Sequence, residues 1–206
     1  PLSSPSPTLG YPVSDKGTAF GIGAQIGIFY NSGMGIKLGA SYKSPQAFSS
    51  FDFENTYLDG SKAPNVKFKM NYPAIISAGI GYSKYKFDVA LDYRFVNYKN
   101  TAGFEAKGWT NTASVAGFGW KNISIVSAGI QYKGIKKFPL RAGYTYSSNP
   151  ISSELAFFST PATAVIKNAF QFGFGYEFNN RFNLNAVYHH GTSSGLTSGP
   201  LLSPMM

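Results

Sequence analysis

Cationic side chains recur at alternate positions inside apolar stretches of this 206-residue chain: Lys37, Lys43, Lys67, Lys69, Arg94 and Arg141. Their neighbours, such as Leu38, Phe68, Phe95 and Leu140, would turn to the opposite face of a strand. A cation held on such a face can donate to a carboxylate, and arginine can do so through two parallel N–H groups. Arg141 is the first candidate for substrate binding because it falls mid-strand, Lys37 the second, and Lys67, Lys69 and Arg94 complete the set. A plainer use of these charges is ion pairing with Asp88, Asp92 or Glu177. A second group is apolar. Phe48, Phe51 and Phe53 lie in one long connection, Phe157 and Phe158 in another. They either form a surface that captures an oily ligand or pack on one another to stiffen the connections.

Catalytic patterns are missing. His189 and His190 are adjacent, so on a strand they face opposite ways and cannot act jointly or hold one metal. No nucleophile with a partnered base stands beside them. The run Gly21-Ile22-Gly23-Ala24-Gln25-Ile26-Gly27 misses the G-x-G-x-x-G spacing and precedes no helical pattern. The expectation is no catalytic residue, no metal and no cofactor.

The elements that must position these groups are strands. From Val66 to Tyr82 every even-numbered residue is apolar, a run far longer than the usual strand of about five or six residues. The same period of two recurs over 20–30, 34–42, 87–95, 126–132, 138–146, 170–178 and 182–188, giving eight strands in four hairpins. Turns near 31–33, 83–85, 133–137 and 179–181 are short, whereas the connections at 44–65, 99–119, 148–168 and from 191 onward are long. One greasy face, one polar or glycine face, and loops short at one end and long at the other define a transmembrane antiparallel β-barrel. Tyr30, Tyr82, Tyr132 and Phe178 beside the short turns, and Tyr42, Phe95, Tyr146 and Tyr188 beside the long loops, would form two aromatic girdles. The fold class is therefore all-β, with residues 1–206 forming a single barrel region. A soluble sandwich with an aromatic core is the alternative, and it would need ordinary strand lengths and similar loops at both ends.

Composition agrees. Charged residues make up 13% of the chain, against about 25% in soluble domains, while aromatics reach 17% and glycines number 23. A mean hydropathy of −0.11 argues against a helical membrane protein. The absence of Cys excludes disulfides and thiolate metal sites. The net charge of +9 is scattered rather than gathered in a stripe, which argues against nucleic-acid binding and for a positively lined cavity. Pro1 to Thr8 has neither the basic start nor the apolar run of a signal peptide.

Four segments resemble the FadL/TodX family of outer-membrane transporters for long-chain fatty acids and hydrocarbons. Leu140-Arg141-Ala142-Gly143-Tyr144-Thr145-Tyr146-Ser147-Ser148-Asn149-Pro150-Ile151 is similar to the family's Leu-Arg-Ala-Gly strand running into a Pro-containing loop. Gly39-Ala40-Ser41-Tyr42-Lys43-Ser44 resembles its Gly-x-x-Tyr-(Arg/Lys)-Ser strand end. Tyr72-Pro73-Ala74-Ile75 resembles a strand opening with Pro, and Phe172-Gly173-Phe174-Gly175-Tyr176 a Gly-x-Gly-Tyr strand. The resemblance implies a monomeric 14-stranded barrel plugged by an N-terminal hatch. The eight strands here would be its sixth to thirteenth, with the hatch and last strand outside this sequence. It also implies passive uptake of a hydrophobic small molecule or fatty acid through a barrel set in outer-membrane lipid, with lateral exit through the wall. The alternatives are a general or small-solute porin, or a non-transport barrel such as an adhesin or a barrel enzyme.

Overall fold

Because apolar and small polar residues alternate, neighbouring segments can pair edge to edge while keeping one oily face continuous. The computed structural model describes residues 6–105, 107–109, 115–153, 156, 159, 166–179, 181–193 and 199. In chain order its strands are β1 (Val13–Ser14), β2 (Gly21–Ile22), β3 (Gln25–Asn31), β4 (Ile36–Lys43), β5 (Ala47–Phe48), β6 (Phe51–Thr56), β7 (Lys62–Phe68) and β8 (Ile75–Lys84). There follow β9 (Phe87–Val96), β10 (Lys107–Trp109), β11 (Val115–Phe118), β12 (Ile123–Tyr132), β13 (Leu140–Ser147), β14 (Asn168–Asn179) and β15 (Phe182–Thr192). Eight of them form one antiparallel meander, in the order β3-β4-β8-β9-β12-β13-β14-β15. Its edges β3 and β15 are not paired to each other. No helix among the described residues is long and apolar enough to cross a membrane.

The register keeps every apolar face on one side. Across the sheet, Tyr30 pairs with Leu38, Leu38 with Ile80, Ile80 with Leu91, Leu91 with Ala128, Ala128 with Tyr144, and Tyr144 with Phe170. These side chains are exposed: Ile80 is 51%, Leu91 50% and Phe172 58% accessible. A sandwich would bury them between two layers. The oily face points outward, and the sandwich reading is set aside.

The expected short turns are present and strained as hairpins require. Gly33 and Gly35 take φ of 72° and 97°, while Tyr85 (54°) and Lys137 (62°) are, among the described residues, the two non-glycine residues in the left-handed region. All these turns lie at one end of the meander.

The long run from Val66 to Tyr82 is not one strand, contrary to expectation. β7 ends at Phe68 and β8 begins at Ile75, with Pro73 fully buried between them and Tyr72 bridged to Gln46. Proline has no N–H to give a ladder, so alternation continues through a break that pairing does not. β6 and β7 form a hairpin in a separate three-stranded sheet with β1, drawn from the long connection expected at 44–65 and the first residues of the 66–82 run. β15 runs on to Thr192, so Tyr188 lies within its strand rather than beside a loop.

Candidate functional site

The inner face of the meander is floored by residues with little or no side chain. Gly81 pairs with Ala90, Ala90 with Gly129, and Gly129 with Gly143, laying a smooth strip across four strands. Over this strip lies a cavity of about 670 Å³, with Lys37 at one side and Arg141, Gln171 and Asn185 at the other. A second inner cavity of about 530 Å³ shares Lys37, Gly81 and Ala90 and extends to Phe29, Ser41 and Asp92. The two adjoin as one trough. The Asp92 carboxylate lies over Gly79, where any Cβ would collide with it.

Arg141 is held by neutral partners. Its Nε donates to Gln131 Oε1 (2.6 Å) and its Nη1 to Asn185 Oδ1 (2.8 Å), positions brought alongside by β12 and by β15. Gln131 Nε2 in turn donates to Asp88 Oδ2 (3.0 Å), whose other oxygen accepts from Lys133 Nζ (2.8 Å). Lys37 Nζ donates to Ser83 Oγ (3.3 Å), and Ser83 faces Asp88 across β8 and β9. The anticipated pairing of Arg141 with Asp88 is therefore not formed. Asp88 is satisfied by Lys133, so the guanidinium is oriented without being neutralised. Two amide dipoles fix its plane and leave a net positive charge at the cavity wall.

The other anticipated cations lie elsewhere. Arg94 faces inward between Ser77 and Ile125 but does not line the main cavity, and it has no hydrogen bond or ion pair among the described residues. Lys67 is on β7 with an exposed pairing to Asp52 (3.8 Å), and Lys69 follows that strand's end. Neither stands on the inner face of the wall, because the break at Pro73 interrupts the parity that assigned them there. His189 faces inward beside Gln171 (3.4 Å), while His190 stacks on Tyr188 on the outer face, so the two are separated as expected.

At the long-loop end, Phe48 and Phe53 each stack on Phe51, with centroids 6.5 and 6.2 Å apart. Phe157 and Phe158 lie outside the described residues. Sequence reasoning overlooked a larger aromatic group in the connection after β9, where Tyr98, Phe104, Phe118 and Trp120 meet at 4.7–6.1 Å. Trp120 Nε1 donates to the buried Ser159 Oγ (3.0 Å), tying this group to the next loop. Burial raises the Tyr98 phenol above its ordinary range, and Tyr72 adds a push in the same direction. The aromatic density of 98–120 was the available signal. Gln131 and Asn185 were also legible, as polar residues at inward parity.

The turn of the β6–β7 hairpin should respond to pH. Asp59 accepts from the Ser61 hydroxyl (2.6 Å) and amide (2.9 Å), which hold its carboxyl below the ordinary range. A lowered folded value means that this support is full above the unfolded pKa and is lost as pH falls through the folded one. Acidification should therefore speed amide exchange at Ser61, after correction for intrinsic rates, and Asp59→Ala should abolish that extra acceleration.

An antiparallel sheet with an oily outer face and a glycine-floored, cation-flanked inner trough is the wall of a β-barrel that crosses an outer membrane. The chain belongs to the family of outer membrane protein transport proteins (OMPP1/FadL/TodX), whose model matches residues 13–196. It is similar to the P. putida toluene transporter TodX at 19% identity, covering 91% of this chain and 45% of that one, with a TM-score of 0.56. The Ralstonia pickettii toluene transporter TbuX matches at 16% identity over 84% of this chain and 43% of that one (TM-score 0.56). The CymD monoaromatic hydrocarbon channel matches at 18% over 84% and 47% (TM-score 0.54). The chain thus spans under half the length of these structures. A search of curated proteins finds no match. Membership places the chain among transport proteins of the outer membrane rather than among enzymes.

Proposed function

We propose that this chain forms ligand-conducting wall in a passive outer-membrane channel for hydrophobic substrates. The observation that carries the reading is the 670 Å³ inner cavity, in which a bare glycine and alanine floor adjoins an oriented, unneutralised arginine. An apolar body slides on such a floor with no side chain to obstruct it, and an acidic end has Arg141 and Lys37 to meet. A long-chain fatty acid uses both features, whereas an aromatic hydrocarbon uses the floor alone. That similar structures carry the names of toluene and monoaromatic hydrocarbon channels supports the second class equally. Phe48, Phe51 and Phe53, with the Tyr98–Trp120 group, supply an oily landing surface at the loop end.

Gly129→Phe provides the test. A Cβ at Gly129 meets nothing closer than Ala142 O at 3.8 Å, so a ring there enters the cavity without disturbing the wall. Uptake of a labelled apolar substrate into liposomes carrying the full-length protein should fall about fivefold, since a ring standing on the bare floor narrows the cavity that must enclose the ligand. Ala128→Phe, on the adjacent outward position, should leave uptake unchanged. Rapid swelling of the same liposomes in sugar would instead establish a general porin.

A further inference from the structure

The short-turn end of the wall carries a band of cations, of which Lys133 alone serves the inner face, through Asp88. Lys84 and Lys86 flank the β8–β9 turn, Lys133, Lys136 and Lys137 occupy the β12–β13 turn, and Arg181 sits in the β14–β15 turn. All six are exposed. The turns are laced together: Lys133 N donates to Lys86 O (2.7 Å), Glu177 N to Lys137 O (3.0 Å), and Lys137 Nζ reaches Phe178 O at 3.5 Å. Only Lys133 has a carboxylate partner among the described residues. So many like charges on one rim repel each other unless something negative lies against them.

A second observation lies immediately above this band. A cavity of about 530 Å³ is lined by the outward-facing Leu140, Phe172, Phe174, Ala186 and Tyr188 together with Arg141, Gly173 and Val187, which lie between them on β13, β14 and β15. The small Ala186 between aromatic neighbours leaves a groove in the oily face. Lys136 and Lys137 precede Leu140 by four and three residues, and Arg181 immediately precedes β15, three residues beyond the Phe178 carbonyl that Lys137 Nζ reaches.

We propose that this corner of the wall is a binding site for an anionic phospholipid of the leaflet at the short-turn end. The lipid phosphate meets Lys136, Lys137 and Arg181, and one acyl chain lies in the Leu140–Phe174–Tyr188 groove. An apolar groove alone would suit any lipid. The three cations select one with net negative charge, because a zwitterionic headgroup carries its own counterion. The side chains that form the groove point to the face opposite the trough, although the two share Arg141, Gly173, Ala186 and Val187 along β13, β14 and β15.

The test uses the full-length protein in phosphatidylcholine vesicles doped with spin-labelled phosphatidylglycerol or spin-labelled phosphatidylcholine. The motionally restricted fraction of each label measures association with the protein. Phosphatidylglycerol should be preferred about fivefold, as expected for several cations at a headgroup. The variant Lys136→Gln/Lys137→Gln/Arg181→Gln should reduce the ratio to about one. Ala186→Phe, which fills the groove, should weaken retention of both lipids while preserving the ratio. The heat-shifted gel mobility of the folded barrel checks each variant. Equal retention of both lipids by the unaltered protein would overturn the proposal, and so would a preference that survives the triple change. A preference abolished by inorganic phosphate but not by chloride of equal ionic strength would indicate a free-anion site and overturn it too. Substrate uptake should be unaffected by the triple change, so failure here is distinct from failure of the transport reading.

Discussion

Leu91→Arg should destabilise the membrane-inserted fold by about 2–4 kcal/mol, the cost of an arginine on the lipid face at mid-bilayer. Leu91 sits halfway along β9, facing outward between Ile80 and Ala128. An arginine there must leave its guanidinium in hydrocarbon or thin the bilayer to reach headgroups. Its neighbour Ala90 faces inward on the trough floor. Ala90→Arg therefore places the same side chain in a wet passage and should change stability by no more than about 0.5 kcal/mol. Urea titrations of the full-length protein folded into liposomes compare the two directly. Equal costs for both variants would mean that the two faces are not lipid and lumen, and the barrel reading would fall with them.

Arg141→Ala should weaken binding of oleate by at least about tenfold, because hydrogen bonds to charged groups contribute about 1.5–3 kcal/mol. Binding of toluene should be unchanged, since nothing in a hydrocarbon engages the guanidinium. Arg141→Lys keeps the charge but not the planar fork that Gln131 and Asn185 hold, so it should recover only part of the loss. Equilibrium displacement of a fluorescent fatty acid gives both numbers. If oleate binding survives the alanine change, the acidic end of the substrate is met elsewhere, with Lys37 next to be tried. Loss of toluene binding as well would show that Arg141 supports the shape of the trough rather than recognising a carboxylate.

Much of the wall was readable from residues alone. The four hairpins, the position of their turns and the outward face of each strand follow from a period of two interrupted by turn residues. The same reasoning misplaced Lys67 and Lys69. Alternation passes unbroken through Asn71 and Pro73, and only pairing reveals that the ladder stops at Phe68 and resumes at Ile75. Nor does alternation show that the long connection at 44–65 holds β6, which pairs on one side with β7 and on the other with Val13–Ser14, about 40 residues earlier in the chain.

Which side of every wall strand meets lipid follows from residue order, because a side chain's direction on a strand depends only on its place in the count. What Arg141 touches depends instead on how the strands pair. Its partners Gln131 and Asn185 lie 10 and 44 residues away and reach it only through the register of three neighbouring strands. Likewise, the alignment of Gly81, Ala90, Gly129 and Gly143 into one bare floor is a property of that register, since each residue is unremarked in its own strand.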